Sequence, residues 1–327
     1  MTYEMFKEIV IQKIKEYLPP DWQNAKIERI EYMKTNYKND AISFVKDEKG
    51  LAFGPNISVK DWYKRYQQGD KLEEILEEIA NLVVRAERDA IPFKGIFNED
   101  RYKGIIKDNL CLKLINTKQN QELLQNLPHK EFNDLSIICT WIVEGNAELQ
   151  GNCNITYSLL DMLEMSEEEL FERARANTER IMPPVVMSMD EVIKKQLGME
   201  MGEVSEQPSM LYVLTNEGGY FGATTVLFTD EVDKLAQRVG EDLYLIPSSV
   251  HEFLAIPQSV MDSESIQGLV FEVNTQCVEI DERLSNEVYQ YDRSSRQVTL
   301  ATDCQEKSLD DLQELPDKVM CVADKAR

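Results

Sequence analysis

The spacing of apolar side chains along the chain predicts an ordered series of helices and strands. Apolar residues in 3–18 recur at helical spacing, and Pro19–Pro20 should end this helix because proline cannot continue it. Alternation of polar and apolar residues then predicts three strands, at 25–33, 40–46 and 52–59. Residues 71–87 return to a helical period, with glutamates on the outer face. These patterns predict a small N-terminal α+β domain.

Beyond a linker predicted at 91–104, two stretches each combine a strand, a helix and a strand. The first is LCLKLIN, TKQNQELLQNL and NDLSIICTWIV, and the second is ATTVLF, TDEVDKLAQRVG and EDLYLIPS. A strand–helix–strand unit favours parallel pairing through a right-handed crossover, and antiparallel neighbours would make the sheet mixed. The predicted fold class is therefore α/β, with an α+β N-terminus. The predicted domains are 1–100, 101–275 and a C-terminal hairpin with an acidic tail at 276–327.

The net charge of −23 is unevenly distributed along the chain, and this distribution argues against nucleic-acid binding. Up to residue 110 there are 19 basic and 20 acidic residues, and after it there are 17 basic and 39 acidic residues. An acidic surface repels the phosphates of nucleic acids, whose binding needs clustered lysine and arginine. We therefore expect no DNA or RNA binding, whereas a basic protein partner fits this charge.

Several features predict a cytoplasmic protein without membrane contact. No run approaches the roughly 18 apolar residues of a membrane helix, and the amphipathic N-terminal segment does not resemble a signal peptide. Cys111 and Cys139 lie inside apolar runs, which indicates buried free thiols in a reducing compartment. The spacings of the six cysteines match no zinc or iron–sulfur pattern.

One of the two histidines lies in the segment PSSVHE, between two apolar runs, and this segment is the candidate for chemistry. In an extended chain Ser249 and His251 share a face, so they are candidates for a nucleophile and its base. Glu252 would face the other side, and no G-x-S-x-G elbow is present. The structural alternative is that Ser248 and Ser249 stabilise a turn while His251 bonds a neighbouring strand. Ligand binding by Ser248 and Glu252 is a third hypothesis.

The glycine-rich stretch TNEGGYFGA is the other candidate site. Loops of this kind after a strand cradle phosphates when a helix begins directly behind them. Here a further strand is predicted, so the stretch is interpreted as a hairpin turn in which Asn216, Gly218 and Gly219 take positive φ. A ligand-facing loop at the same three residues is the alternative. No Walker or dinucleotide-binding motif and no histidine cluster occurs, so no cofactor and no metal are expected.

Three segments resemble a family of uncharacterised bacterial proteins found in gut Firmicutes. They are SEEELFERARANTERIMP, LYVLTNEGGYFGA and DLYLIPSSVHEFLAIP. The resemblance covers about residues 1–260. The chain is also similar to the wider YtpQ-like group of proteins, whose function is unknown. It implies a cytoplasmic bacterial protein and brings no activity, cofactor or catalytic residue with it.

These observations predict a non-enzymatic binding or regulatory protein that has a protein partner. The prediction rests on the acidic composition and on the lack of a complete catalytic motif in the sequence. Two alternatives stay open. One is a hydrolase-like enzyme or small-ligand binder centred on PSSVHE. The other is an acidic decoy that mimics nucleic acid, which needs carboxylates at phosphate-like spacing on one face.

Overall fold

The computed structural model describes residues 1–48, 51–53, 55–94, 99–143, 151–198 and 209–301. The chain divides between Gly104 and Ile105 into two units. Each unit combines helices with antiparallel strands, so the predicted α/β mixture is confirmed.

The first unit is built on a long hairpin of β1 (Lys26–Lys34) and β2 (Tyr37–Glu48). The short strands β3 (Leu51–Phe53) and β4 (Asn56–Ser58) both pair antiparallel with β2. The helices are α1 (Tyr3–Lys13), α2 (Lys60–Gln68) and α3 (Leu72–Lys94), and α4 (Glu99–Asp108) crosses into the second unit. The helix predicted at 3–18 is confirmed as far as Lys13, and a 3-10 turn follows it.

The apolar stripe of α1 lies in the core of the first unit. Phe6 and Val10 of α1, and Ile14 directly after it, are fully buried, and they share one cluster with Ile75 and Ile79 of α3. Burial of apolar surface stabilises a fold by roughly 25 cal/mol per Å². Packing of this stripe is therefore the main stabilising contribution to α1, which is too short to be stable alone.

The linker predicted at 91–104 is wrong in the part that the structure describes. Helix α3 extends to Lys94 and α4 begins at Glu99, so both ends of this segment are helical.

The second unit contains two antiparallel sheets in its described part. The strands are β5 (Leu110–Asn116), β6 (His129–Phe132), β7 (Leu135–Val143), β8 (Gly151–Asn154), β9 (Pro184–Ser188), β10 (Tyr212–Asn216), β11 (Leu243–Ser249), β12 (Glu252–Pro257), β13 (Tyr289–Asp292) and β14 (Gln297–Leu300). The helices are α5 (Gln121–Leu124), α6 (Tyr157–Leu163), α7 (Glu167–Ile181), α8 (Met189–Gln196), α9 (Thr229–Val239) and α10 (Ser263–Gln276). One sheet has the order β5–β7–β6 with β8 beside β7, and the other has the order β14–β13–β11–β12–β10–β9.

Every strand pair in the described residues is antiparallel, so the parallel pairing and the mixed sheet predicted from the strand–helix–strand stretches are wrong. In the first stretch, β6 follows the helix and forms a hairpin with β7. This extra strand reverses the chain once more, and β7 therefore returns antiparallel to β5. The short strand HKEF was missed because it is only four residues long and mostly polar.

The strand predicted at 223–228 is also wrong. Residues Gly222–Leu227 form a 3-10 helix, and all of them are buried. The Thr225 hydroxyl donates to the Thr215 carbonyl at 2.5 Å, and the Thr224 hydroxyl donates to the Phe221 carbonyl at 2.9 Å. These side-chain bonds offer the backbone an alternative to a strand ladder, although threonine and valine favour strands by propensity.

Hydrogen bonds between residues far apart in sequence join the two sheets. Asp134, in the turn between β6 and β7, accepts from Ser285 Oγ at 2.5 Å and from the Tyr289 hydroxyl. Asn116 Nδ2, at the end of β5, donates to the Leu284 carbonyl at 2.8 Å. The hairpin predicted near 288–300 is confirmed as β13 and β14, whereas the acidic tail beyond 301 lies outside the described residues.

Two of the cysteines confirm the prediction of buried free thiols. Cys111 and Cys139 are free, and burial raises the pKa of Cys111 to about 11 and that of Cys139 still further. Cys277 is disulfide-bonded, which the expectation of a reducing compartment does not predict. Of the helices that the structure describes, none is long and apolar enough to cross a membrane.

Candidate functional site

Most residues singled out in the sequence meet where two loops of the second unit touch. We call residues 215–222, which include the end of β10 and the loop after it, and residues 248–252, which include the turn between β11 and β12 and the strand ends beside it, the loop junction. Strands β11 and β12 form a hairpin whose turn is Val250 and His251. The Thr215 hydroxyl donates to the His251 carbonyl at 2.9 Å, and the Ala223 amide donates to the Val250 carbonyl at 3.3 Å. The hairpin turn is thereby fixed to the glycine-rich loop.

The serines of the loop junction stabilise the hairpin. Ser248 Oγ donates to Glu252 Oε1 at 3.1 Å, and Ser249 Oγ accepts the backbone N–H of His251 at 3.1 Å. Serine hydroxyls commonly satisfy backbone groups in turns in this way. Because His251 lies in the turn rather than in a strand, the alternation that would place it beside Ser249 does not apply.

Both nitrogens of the His251 ring face groups other than a serine hydroxyl. Nδ1 accepts the backbone N–H of Phe221 at 3.3 Å, and Nε2 lies 3.6 Å from Glu282 Oε1. A general base must reach the proton that it removes through a free nitrogen. The geometry therefore favours the structural alternative for Ser249 and His251. Glu282 was missed in the sequence because it lies in a short 3-10 turn without any motif.

The glycine-rich loop is closed by side chains of its own. Gly219 has the predicted positive φ, 66°, whereas Asn216 and Gly218 are not in the positive-φ region. Asn216 is buried at the end of β10, and its Nδ2 donates to the Tyr220 carbonyl at 2.7 Å. Phe221 takes a left-handed φ of 53°, which is uncommon for a bulky residue. The predicted hairpin is wrong because a 3-10 helix, not a strand, follows this loop.

Gly222 is the point of closest approach between the two loops. A Cβ atom at this position would lie 2.3 Å from Thr215 Oγ1 and 2.4 Å from the His251 carbonyl oxygen. These distances are far inside van der Waals contact, and one of the two atoms belongs to the backbone. The junction therefore requires a residue without a side chain here.

A buried cation lies against the loop junction. Lys113 of β5 is 6% exposed, and its Nζ lies 4.6 Å from the centroid of the Phe221 ring. Burial lowers the pKa of Lys113 to about 8, against an opposing effect of Asp281. The Phe221 ring is in turn parallel to the His251 ring, with 6.2 Å between the centroids. In the described part of the chain, no three His, Cys, Asp or Glu side chains are grouped so as to hold a metal ion.

A separate cleft of about 390 Å³ opens between the two sheets, and we call it the inter-sheet cleft. Its apolar walls come from both sheets, from α7 and from the 3-10 helix, through Leu112, Phe132, Ile137, Phe171, Val226 and Val298. This volume lies within the range of small-molecule sites, roughly 300–1,000 Å³. None of these residues was singled out in the sequence, because no local pattern marks them.

Three basic residues also line the inter-sheet cleft: Lys130, Arg175 and Arg296. Lys130 Nζ lies 4.6 Å from the centroid of the Phe171 ring, and Arg175 Cζ lies 4.9 Å from that of Phe228. Arg175 Nη1 also donates to the Leu227 carbonyl at 3.3 Å.

Arg296 differs from the other two because carboxylates neutralise it. Its Nη2 donates to Asp230 Oδ1 at 2.6 Å and lies 3.5 Å from Asp233 Oδ2. The cleft thus combines apolar walls, one neutralised cation and two cations that lie on aromatic rings.

Comparison with known proteins gives a family and no activity. The model of DUF5688, described as a family of unknown function, matches residues 3–293. No curated protein and no solved structure matches the chain. The predicted resemblance to an uncharacterised family is confirmed, whereas the likeness to the YtpQ-like group and the origin in gut Firmicutes stay predictions.

Proposed function

We propose that this chain, which belongs to the DUF5688 family of unknown function, is a non-enzymatic protein that binds a small ligand in its inter-sheet cleft. The observation that carries the proposal is the cleft itself, about 390 Å³ with apolar walls supplied by both sheets. Small-ligand sites are usually preformed concavities with apolar walls and a few polar groups. The cleft has this composition before any ligand is present.

The loop junction has a structural role in this proposal. His251 holds the loop through the Phe221 amide, and Ser249 holds the hairpin turn. Asn216, Gly218 and Gly219 shape the loop, while Ser248 and Glu252 bond to each other. The proposal thus places the ligand in the inter-sheet cleft rather than at PSSVHE, where the sequence analysis gave ligand binding as one alternative.

Binding of a neutral apolar dye tests the proposal directly. N-phenyl-1-naphthylamine carries no charge and fluoresces when it enters an apolar site. Val298→Trp would place a large side chain in the cleft, because Val298 lines it from β14. Thr299→Trp on the same strand is the matched control, since Thr299 is exposed and does not line the cleft.

We expect the wild type and Thr299→Trp to bind the dye with similar affinity, and Val298→Trp to bind it about tenfold or more weakly. Equal binding by both variants, with their circular dichroism spectra unchanged, would place the dye elsewhere and refute the proposal. Absence of dye binding by the wild type would also refute it.

The protein partner predicted from the sequence is a second proposal, supported by the charge of −23. An acidic surface attracts basic proteins at long range. Native mass spectrometry of the untagged protein from its own cells tests this at physiological salt. A stoichiometric basic partner would support the proposal, and the free chain alone would contradict it. We retain a cytoplasmic location within this proposal on the free thiols Cys111 and Cys139, against which the disulfide at Cys277 counts, and cell fractionation tests it.

A further inference from the structure

Among the residues that the structure describes, two cations at the inter-sheet cleft have no acidic partner, in a chain that is rich in acid. The chain has 59 acidic and 36 basic residues, so most cations have a carboxylate available. In the part of the chain that the structure describes, no carboxylate oxygen lies within 4 Å of the Lys130 or Arg175 nitrogens. Both side chains line the same cleft. Two cations at one concave site, with no carboxylate beside them in the described residues, form a local positive region on a negative protein.

Aromatic rings hold these two cations in place without neutralising them. Lys130 lies over Phe171 and Arg175 over Phe228, at cation–π distances of 4.6 and 4.9 Å. A cation–π contact orients the charge and leaves most of its N–H donors available. Arg175 uses one of its five donors for the Leu227 carbonyl. The remaining donors can bond an anion.

Arg296 lines the same cleft but differs from Lys130 and Arg175 because it already has acidic partners. Asp230 and Asp233 already neutralise it, so an incoming anion would compete with two carboxylates there. The anion therefore belongs on the side of Lys130 and Arg175, and the rest of the ligand belongs against apolar walls such as Phe132 and Val298.

From this arrangement we infer that the ligand of the inter-sheet cleft is an amphipathic anion, whose single carboxylate or phosphate lies between Lys130 and Arg175 while its apolar part lies along the walls. This inference rests on the proposed function, because it names the ligand class of that same cleft. Charge-assisted hydrogen bonds to an anion are about twice as strong as neutral ones, so the head group contributes to selectivity. A cationic ligand with the same tail is repelled at this position.

A series of ligands that share one tail separates the head-group effect from the tail effect. Octanoate, octyl phosphate, octan-1-ol and octyltrimethylammonium are each titrated as competitors against N-phenyl-1-naphthylamine bound to the full chain. We expect at least one anion to displace the dye at a concentration about tenfold lower than octan-1-ol requires, and the cation to be the weakest. The anion that performs better identifies the head group as carboxylate or phosphate. We also expect the preference for the anion to fall as salt is added.

Variants then locate the head group. Lys130→Met and Arg175→Met keep an apolar stem and remove the charge, so the preference for the anion should fall about threefold to tenfold in each while octan-1-ol is unaffected. Arg238→Met is the matched control, because Arg238 lies over the Tyr212 ring at 4.9 Å and does not line the cleft. This control changes the net charge equally and should keep the preference.

The outcomes of these experiments distinguish a failure of the anion inference from a failure of the proposed small-ligand binding. If octan-1-ol competes as well as both anions, or if Lys130→Met and Arg175→Met behave like Arg238→Met, the anion inference is overturned and the small-ligand cleft stands. If the dye does not bind, or if Val298→Trp binds it normally, the proposed function itself fails. A preference that is lost in both cleft variants and retained in the control supports the inference.

Discussion

Replacing Gly222 by alanine tests whether the loop junction is held together by backbone contact. The new Cβ would lie 2.4 Å from the His251 carbonyl oxygen and 2.9 Å from the backbone nitrogen of Asn216. The hairpin turn would have to retreat by about 1 Å to restore ordinary contact. Overpacking of this kind costs about 1–3 kcal/mol, and a weakened hydrogen bond to His251 adds about 1 kcal/mol. We expect a total loss of about 3 kcal/mol.

A loss of this size is easily measured. For a domain of 150–250 residues, 1 kcal/mol shifts the melting temperature by about 2–4 °C, so Gly222→Ala should lower it by about 6–12 °C. Circular dichroism gives the transition, and hydrogen exchange of peptides from β11 and β12 assigns it to the second unit. Gly268→Ala is the matched control, since a Cβ at Gly268 meets nothing within 4 Å inside α10.

The control should be neutral or stabilised by about 0.5–1 kcal/mol, because alanine favours helix over glycine. A melting temperature for Gly222→Ala within about 1 °C of the wild type would show that the two loops separate at little cost. In that case the structural role assigned to His251 would lose its main support.

Three further predictions concern side chains of the second unit. His251→Ala removes the acceptor of the Phe221 amide and should lower the free energy of unfolding by about 1–2 kcal/mol in thermal denaturation. His251→Asn, whose Oδ1 replaces Nδ1 as the acceptor, should recover at least half of this loss. Equal losses in the two variants would contradict this role. The pKa of Lys113 is lowered to about 8 from 10.5, so the unfolded chain binds more protons between these values and stability should rise with pH there. Urea unfolding should show that the free energy of unfolding of the wild type, relative to that of Lys113→Met, rises on the order of 3 kcal/mol from pH 8 to 10.5. A difference between the two proteins that does not change with pH would refute the burial argument. Finally, a fluorophosphonate probe should leave Ser249 unlabelled while it labels trypsin, and labelling that Ser249→Ala abolishes would restore the hydrolase hypothesis.

Local signals in the sequence predicted the elements that depend on local physics. The helix that begins at Tyr3 was visible because its apolar period is regular and Pro19–Pro20 follow it. The start of α7 carries a local signal of the same kind, because Ser166 precedes three glutamates and its Oγ accepts the Glu169 backbone N–H at 3.1 Å. Periodicity and capping act within a few residues, so no tertiary information is needed to recognise them.

Tertiary contacts decided the features that sequence reasoning did not find. Residues 222–227 favour a strand by propensity, yet burial on all sides and bonds to Thr215 make them a 3-10 helix. Sequence reasoning missed Lys130 and Arg175 of the inter-sheet cleft for a related reason. Lys130 belongs to a polar strand and Phe171 to a distant helix, and only the folded unit brings them together. No spacing in the sequence encodes such a pair.

The bonds that join the two sheets have a consequence for synthesis on the ribosome. Asn116 and Asp134 lie early in the second unit, and their partners Leu284, Ser285 and Tyr289 come more than 150 residues later. Nascent chains emerge from the N-terminus at about 5–20 residues per second, and domains fold as they emerge. The first unit can therefore close early, whereas the second must wait until β13 and β14 have left the exit tunnel. During this interval the strands around Asn116 and Asp134 lack these partners, and transiently exposed apolar surface and unpaired strand edges of this kind make a nascent chain prone to aggregation.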